Sequence, residues 1–233
     1  MAPEVTGMTS IRSLIEFLST GSNWVGNTGI LIRTANHLLI SVLAVIIAAV
    51  IAMPPAMMLA HRRRGGFVAI AAANLGRAIP SLAILALALP LSIRFGFGLG
   101  AFPTLVALVV LAVPPLFANT YTGIATVDPE LIDAARGQGL TGSGVLRGVE
   151  IPLARPFVMT GVRVAFVQVL ATAALGALVA FSGLGSFIVE GFAQFNDGKT
   201  LTGALLTAIL AIVAESTLTR FQRRMTPWVE QSD

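Results

Sequence analysis

Few side chains in this sequence are of the kinds that do chemistry. Histidine occurs twice, at His37 and His61, tyrosine once, at Tyr121, and cysteine not at all. Thiolate metal ligation and a disulfide framework are both closed to it. The two histidines lie near opposite ends of one apolar stretch, so a helix crossing a membrane there would keep them from sharing a metal. His37 reads as interfacial packing and His61 as part of a basic flank. Tyr121 reads as an interfacial anchor. There is no Walker A run, no HExxH and no Gly-x-Ser-x-Gly elbow. The alternating glycines at 96, 98 and 100 do not follow the GxGxxG spacing. Catalytic, cofactor-binding and metal-binding residues are therefore all expected to be none.

The polar side chains that remain sit within or beside apolar segments. Asn74, Arg77, Ser81, Gln168 and Glu190 are candidates for a translocation path or for interhelical hydrogen bonds, the two uses to which such residues are put in a bilayer. Glu190 fits an outer mouth or an exposed loop equally well. Glu215 lies about one turn before Arg220, which predicts an ion pair between them.

One polar interruption separates the apolar blocks, residues 128–152, DPELIDAARGQGLTGSGVLRGVEIP. Asp128 is placed to cap backbone amides, Pro129 needs no amide partner in a first turn, and Glu130 meets the positive end of the helix dipole. A short helix is expected over about 129–136, with Leu131, Ala134 and Ala135 on one face. Gly137 and Gly139 should end it, and Thr141 should cap a second short helix that Pro152 stops. A helix, a glycine turn and a helix make a docking element.

The surrounding composition explains what must hold that element. Of 233 residues 55% are apolar and 11% charged, and the mean hydropathy is +0.86, outside the balance of soluble chains. The fold class is an all-α integral membrane protein. Residues 1–33 form an N-terminal external or interfacial segment, with a short amphipathic or interfacial helix ending near residue 20 and Trp24 suited equally to a headgroup-level anchor or to ordinary packing. Residues 34–224 form the transmembrane domain, and 225–233 a cytoplasmic tail. Five spans are expected, at about 38–60, 67–91, 101–119, 157–181 and 201–219, each near the length that crosses about 30 Å of hydrocarbon. Pro54-Pro55 and Pro114-Pro115 near the inner ends of two spans imply kinks or helix ends. The small residues at 171–177 mark a helix that packs closely in the bundle or at a subunit interface.

The net charge of +4 comes from fourteen arginines and one lysine. Arg62, Arg63, Arg64, Arg136, Arg147, Arg155, Arg220, Arg223 and Arg224 all fall on one side of this topology, against Arg94 and Lys199 in the later opposite loops and Arg12 and Arg33 in the N-terminal part, which weaken the bias slightly. By the positive-inside rule the N-terminus is outside and the C-terminus inside.

The polar loop resembles the EAA loop of permease subunits of binding-protein-dependent ABC importers. Asp133-Ala134-Ala135 stands for the opening triplet, Gly139 for the required glycine, Val149 for the isoleucine and Ile151-Pro152 for Leu-Pro, with the spacing complete. A finer resemblance, to the osmoprotectant branch, rests on residues 78–83, 119–124, 127–137 and 183–188. Arg77 stands where that branch is expected to have glutamine, and Asp133 where glutamate is usual. The resemblance implies the type I importer permease fold, with 128–152 as a cytoplasmic coupling loop. It implies as partners two copies of a cytoplasmic ABC ATPase that uses the ATP, a second permease subunit, identical or similar, and an external solute-binding protein. The implied setting is the bacterial inner membrane and the implied cargo a quaternary amine such as glycine betaine, choline or carnitine. Another small solute, such as an amino acid or alkyl sulfonate, and a non-transporting scaffold are the alternatives.

Overall fold

The computed structural model describes residues 3–78 and 80–225, with side chains from Ser10 onward apart from those of residues 75–78. Every regular element among them is helical. In order these are α1 (Pro3–Ser19), α2 (Ile30–His61), α3 (Gly66–Ala78), α4 (Ser81–Arg94), α5 (Ala101–Ala125), α6 (Pro129–Gly137), α7 (Gly142–Val179), α8 (Gly185–Ala193) and α9 (Asp197–Met225). A turn of 3-10 helix, Gly21–Asn23, follows α1. Within α7 the turn Leu146–Glu150 is π-helical and the end, Ala173–Val179, is 3-10.

Four helices, α2, α5, α7 and α9, are long and apolar enough to cross a membrane. On α2 the surface inverts the soluble pattern. On α2, Ala44, Ala48, Ala52, Ala56 and Ala60 are buried at every fourth position while Ile46, Val50 and Ile51 are more than half exposed. Small side chains turned inward and branched apolar ones outward are what a hydrocarbon solvent requires, because lipid does not penalise an exposed isoleucine.

Several sequence expectations change here. The second expected span, 67–91, is two helices of 13 and 14 residues. Pro80, between them, has no amide to continue the ladder. The proline pairs do not end their helices: Pro54-Pro55 lie inside α2 and Pro114-Pro115 inside α5, which runs to Ala125. Pro152 does not stop a second short helix either. That helix continues as α7, because the wider π turn just before Pro152 gives its ring room that a regular α turn lacks. Trp24 is held by its own chain, its indole N–H donating to the Leu18 carbonyl at 2.7 Å.

The chain divides into two compact units. One comprises residues 1–44, 81–108 and 168–213; its core gathers Ile30, Leu184 and Phe187 with Phe17, Trp24 and Leu206, and separately Leu85, Ala107 and Val179. Gly176, in the small-residue stretch, packs where a methyl group would stand 2.6 Å from Thr104 Cγ2. The other comprises residues 45–80, 109–167 and 214 onward. There Ala60, Ile124 and Ala154 are buried with Met57, Tyr121 and Val158, so Tyr121 is a packing residue of this core.

Candidate coupling segment and polar centres

The polar segment builds itself by local rules. The Glu130 amide donates to Asp128 Oδ1 at 2.8 Å, with Pro129 in the first turn of α6. The Gly144 amide donates to Thr141 Oγ1 at 3.3 Å, capping α7. Each cap contributes about 1 kcal/mol. Between the helices Gly139 takes a φ of +88°, a left-handed geometry that a Cβ would strain. Gly137 is the last residue of α6 and needs no such geometry.

The segment carries a small core of its own. Val127, Ile132, Ala135 and Val145 are buried together, with Leu140 and Val149 packed against them. The face expected from the sequence is therefore split. Ala135 turns inward with Ile132, while Leu131, Asp133 and Ala134 are exposed. Arg136 reaches back to Asp133 at 3.7 Å, an exposed pair of little energetic weight. Gly139 is open, Val149, Ile151 and Pro152 are half-buried, and Ile151 belongs to the Ala60 cluster.

Two contacts fix this segment to its unit. His61 Nδ1 lies 2.5 Å from Oε2 of Glu150, whose side chain is 1% exposed; in this geometry the ring N–H donates to the carboxylate. Arg63, at a positive φ just past α2, donates to the Ala125 and Val127 carbonyls and so satisfies the open end of α5. Neither was foreseen. His61 read only as basic flank, and Glu150 occupies a variable position of the loop pattern.

In the same unit Glu215 does not pair with Arg220. Its partner is Arg163 at 3.7 Å, and Arg163 Nη1 also donates to Thr219 at 3.1 Å. Gln222 donates to the Pro156 carbonyl and to Thr160 Oγ1. Cross-helix partners won over the i, i+5 neighbour, since α9 and α7 face each other here.

The other unit holds a charged cluster. Arg33 Nη2 donates to Glu190 Oε1 at 2.7 Å, Lys199 Nζ donates to Glu190 Oε2 at 2.6 Å, and the Arg33 guanidinium lies 4.4 Å over the Phe187 ring. Burial pushes the Glu190 carboxyl upward, but the hydrogen bonds and positive charges of Lys199 and Arg33 outweigh it and hold the group below its ordinary value. Lys199 is thus half-buried and paired, not part of a free turn. His37 is fully buried, Nε2 lying 2.9 Å from the Leu170 carbonyl, and is a packed residue of this unit.

Asn74 is exposed on α3, Ser81 begins α4 half-buried beside Thr104 and Thr172, and Gln168 is half-buried without a side-chain hydrogen bond among the described residues. The side chain of Arg77 lies outside the described residues. No group of three or more metal-ligating side chains occurs among those described.

Apolar helices of membrane length, small residues inward and polar groups used for pairing define a multi-pass membrane protein. The signature of the family "Binding-protein-dependent transport system inner membrane component" matches residues 42–227, and the chain belongs to that family. It is 36% identical over 217 residues to the glycine betaine/carnitine/choline transport system permease protein OpuCB of Bacillus subtilis (strain 168), covering 93% of this chain and 95% of that one. It is 34% identical over 194 residues to the osmoprotectant import permease protein OsmW of Salmonella typhimurium, covering 83% and 90%. Among solved structures, an inward-facing MetNI methionine ABC transporter superposes with a TM-score of 0.74 at 22% identity, over 84% of this chain and 96% of that one. An amino acid ABC transporter solved with histidines gives 0.65 at 20%, over 96% and 99%. These structures carry the fold alone: the chain is an all-α, multi-pass inner-membrane protein with the type I ABC-importer permease fold. As a permease subunit it is part of a multi-subunit ABC transporter, and ATP hydrolysis resides in a separate subunit.

Proposed function

We propose that this chain is the membrane-spanning half of an importer for a quaternary-amine osmoprotectant of the betaine, choline or carnitine type. The observation that carries the cargo is the similarity, over nearly the whole of both chains, to permeases named for those solutes. In this reading two permease subunits enclose the path, a solute-binding protein delivers cargo from outside, and two ATPase subunits dock inside. Their contact is the segment 128–152, through Asp133, Ala134 and the Gly139 turn, with Ala135, Val149, Ile151 and Pro152 holding its shape. The N-terminus lies outside and the C-terminus inside, supported by the arginine distribution. The crossings are α2, the α3–α4 pair, α5, α7 and α9, so five spans are kept with the second one broken. Asn74, Arg77, Ser81, Gln168 and Glu190 remain candidates for the path or its lining.

ATP closing two ATPase subunits biases a two-state path through this contact, since a chain without a nucleotide site must take its drive from a partner. The test is uptake of labelled glycine betaine, carnitine and choline into proteoliposomes holding the permease, ATPase and binding protein. Uptake that needs ATP and all components is expected. Uptake of none of the three solutes, with transport of an amino acid instead, would overturn the cargo assignment.

A further inference from the structure

Segment 128–152 is stiff within itself. Ile132 and Ala135 on α6 and Val145 on α7 share one small core, so a push on the exposed face of α6 reaches the first turn of α7. Beyond that turn the chain is softer. Residues 146–150 form the π turn, a kind of site where helices bend and one frequent at functional positions. Left open, it would let the segment rock without moving the helices above it.

Glu150 closes that hinge. It is the last residue of the π turn, its side chain is 1% exposed, and its one hydrogen-bond partner among the described residues is His61 Nδ1, at 2.5 Å. His61 ends α2, and its ring also lies against the first turn of α7, where a Cβ on Gly142 would stand 3.4 Å from Nε2. One imidazole thus spans the π turn, beside α7 ahead of it at Gly142 and bonded to α7 at its end.

Cohesion alone does not call for a carboxylate here. Ala60, Ile124 and Ala154 are buried together with Leu146 and Ile151 packed against them, and a buried polar pair holds helices no better than apolar side chains of similar size. What a single directional bond adds is register. One nitrogen meets one oxygen in one relative position of the two helices, where apolar faces can slide.

We propose that His61 and Glu150 are a positioning pair that locks the π turn, so that movement of the docked segment is handed to the inner part of α2, residues 45–61 of the same unit. This role rests on the reading that an ATPase docks on 128–152, and it adds the link by which that movement enters the membrane.

The test uses the whole transporter in nanodiscs, with a bimane on Ile51→Cys of the permease and a cysteine-free ATPase partner. The permease has no cysteine of its own, and Ile51 is exposed about 15 Å along α2 from His61. ATP should change the fluorescence. The double variant His61→Leu/Glu150→Leu strands no carboxylate, so its melting transition, ATPase co-purification and ATP hydrolysis should stay near wild type. Its ATP-driven signal should fall about fivefold or more, the lower end of coupling between sites. His61→Asn places an amide N–H where Nδ1 stands and should keep the signal.

A full signal in the double variant overturns the pair's role, and so does the absence of any ATP-driven change in wild type. Loss of folding or of ATPase co-purification in the double variant also overturns it, making the pair a support of the segment's shape. A signal lost equally in His61→Asn would deny that the bond is what matters. Failure of the docking reading looks different: Gly139→Val would leave co-purification and signal both untouched. Absent glycine betaine uptake with the signal intact would sink the cargo reading and leave the pair standing.

Discussion

Glu150 sits in the π turn of α7 and is closed over by His61 from the end of α2, with 2.5 Å between Oε2 and Nδ1. Eighty-nine residues apart in sequence, the two join the polar segment 128–152 to the end of α2 through one contact that is closed at its carboxylate side. Removing either partner strands the other, which costs about 3 kcal/mol when the remaining group is a buried carboxylate. His61→Ala should therefore lower the melting transition of the purified permease clearly more than Arg62→Ala, its exposed neighbour. Equal transitions for the two variants would show that the pair is structurally idle.

On the proposed coupling contact, the Gly139 turn should separate fold from docking. Its φ of +88° is strained for alanine by about 1 kcal/mol, yet a methyl group there meets nothing within 4 Å. Gly139→Asn, which tolerates the left-handed region, should keep both stability and ATPase binding. Gly139→Val should weaken co-purification of the ATPase much more than it lowers the permease's own melting transition. A parallel loss in both measurements would place the residue's role in folding alone.

Close helix approach in the second unit can be tested at Gly161. A methyl group there would stand 2.8 Å from Asn119 Cβ and 3.2 Å from the Pro115 carbonyl, and the latter is backbone that cannot turn away. Gly161→Ala should cost about 1–3 kcal/mol, the range for overpacking, read as a lowered thermal transition in detergent. An unchanged transition would mean that α5 and α7 can part at no cost.

The Glu190 cluster should respond to acid. Its folded carboxyl value is lowered from 4.5, so the cluster's stabilisation is full above the ordinary carboxylate range and is lost as pH falls through the lower folded value. The groups facing it are Arg33 from α2 and Lys199 from α9. Hydrogen exchange in residues 185–200 should rise as pH falls below the ordinary carboxylate range, after correction for intrinsic rates. In Glu190→Gln that rise should vanish.

What could be read from sequence was whatever short-range chemistry decides. Asp128 and Thr141 cap the helices they were expected to cap, and α1 ends at Ser19 as its polar boundary implied, because each depends on residues within a turn. What stayed hidden depends on distant partners. Glu190 meets Arg33 across 157 residues, and Glu215 chose Arg163 over Arg220, since a helix pair brings closer what sequence separates. Of the two readings of the proline pairs, a kink or a helix end, the helix end failed for a related reason. A proline in a membrane bundle can persist inside a helix when packing and small backbone adjustments supply what its missing amide does not.

The inward and outward faces of α6 answer to different masters. Ile132 and Ala135 are held by the segment's own small core, while Leu131, Asp133 and Ala134 touch water. Changes on the first face are adjudicated by this chain alone; changes on the second are adjudicated only by whatever docks there. On the proposed coupling contact, the exposed face could be rewritten to suit a foreign ATPase, as one changes a plug without rewiring the appliance, provided the buried pair is left alone.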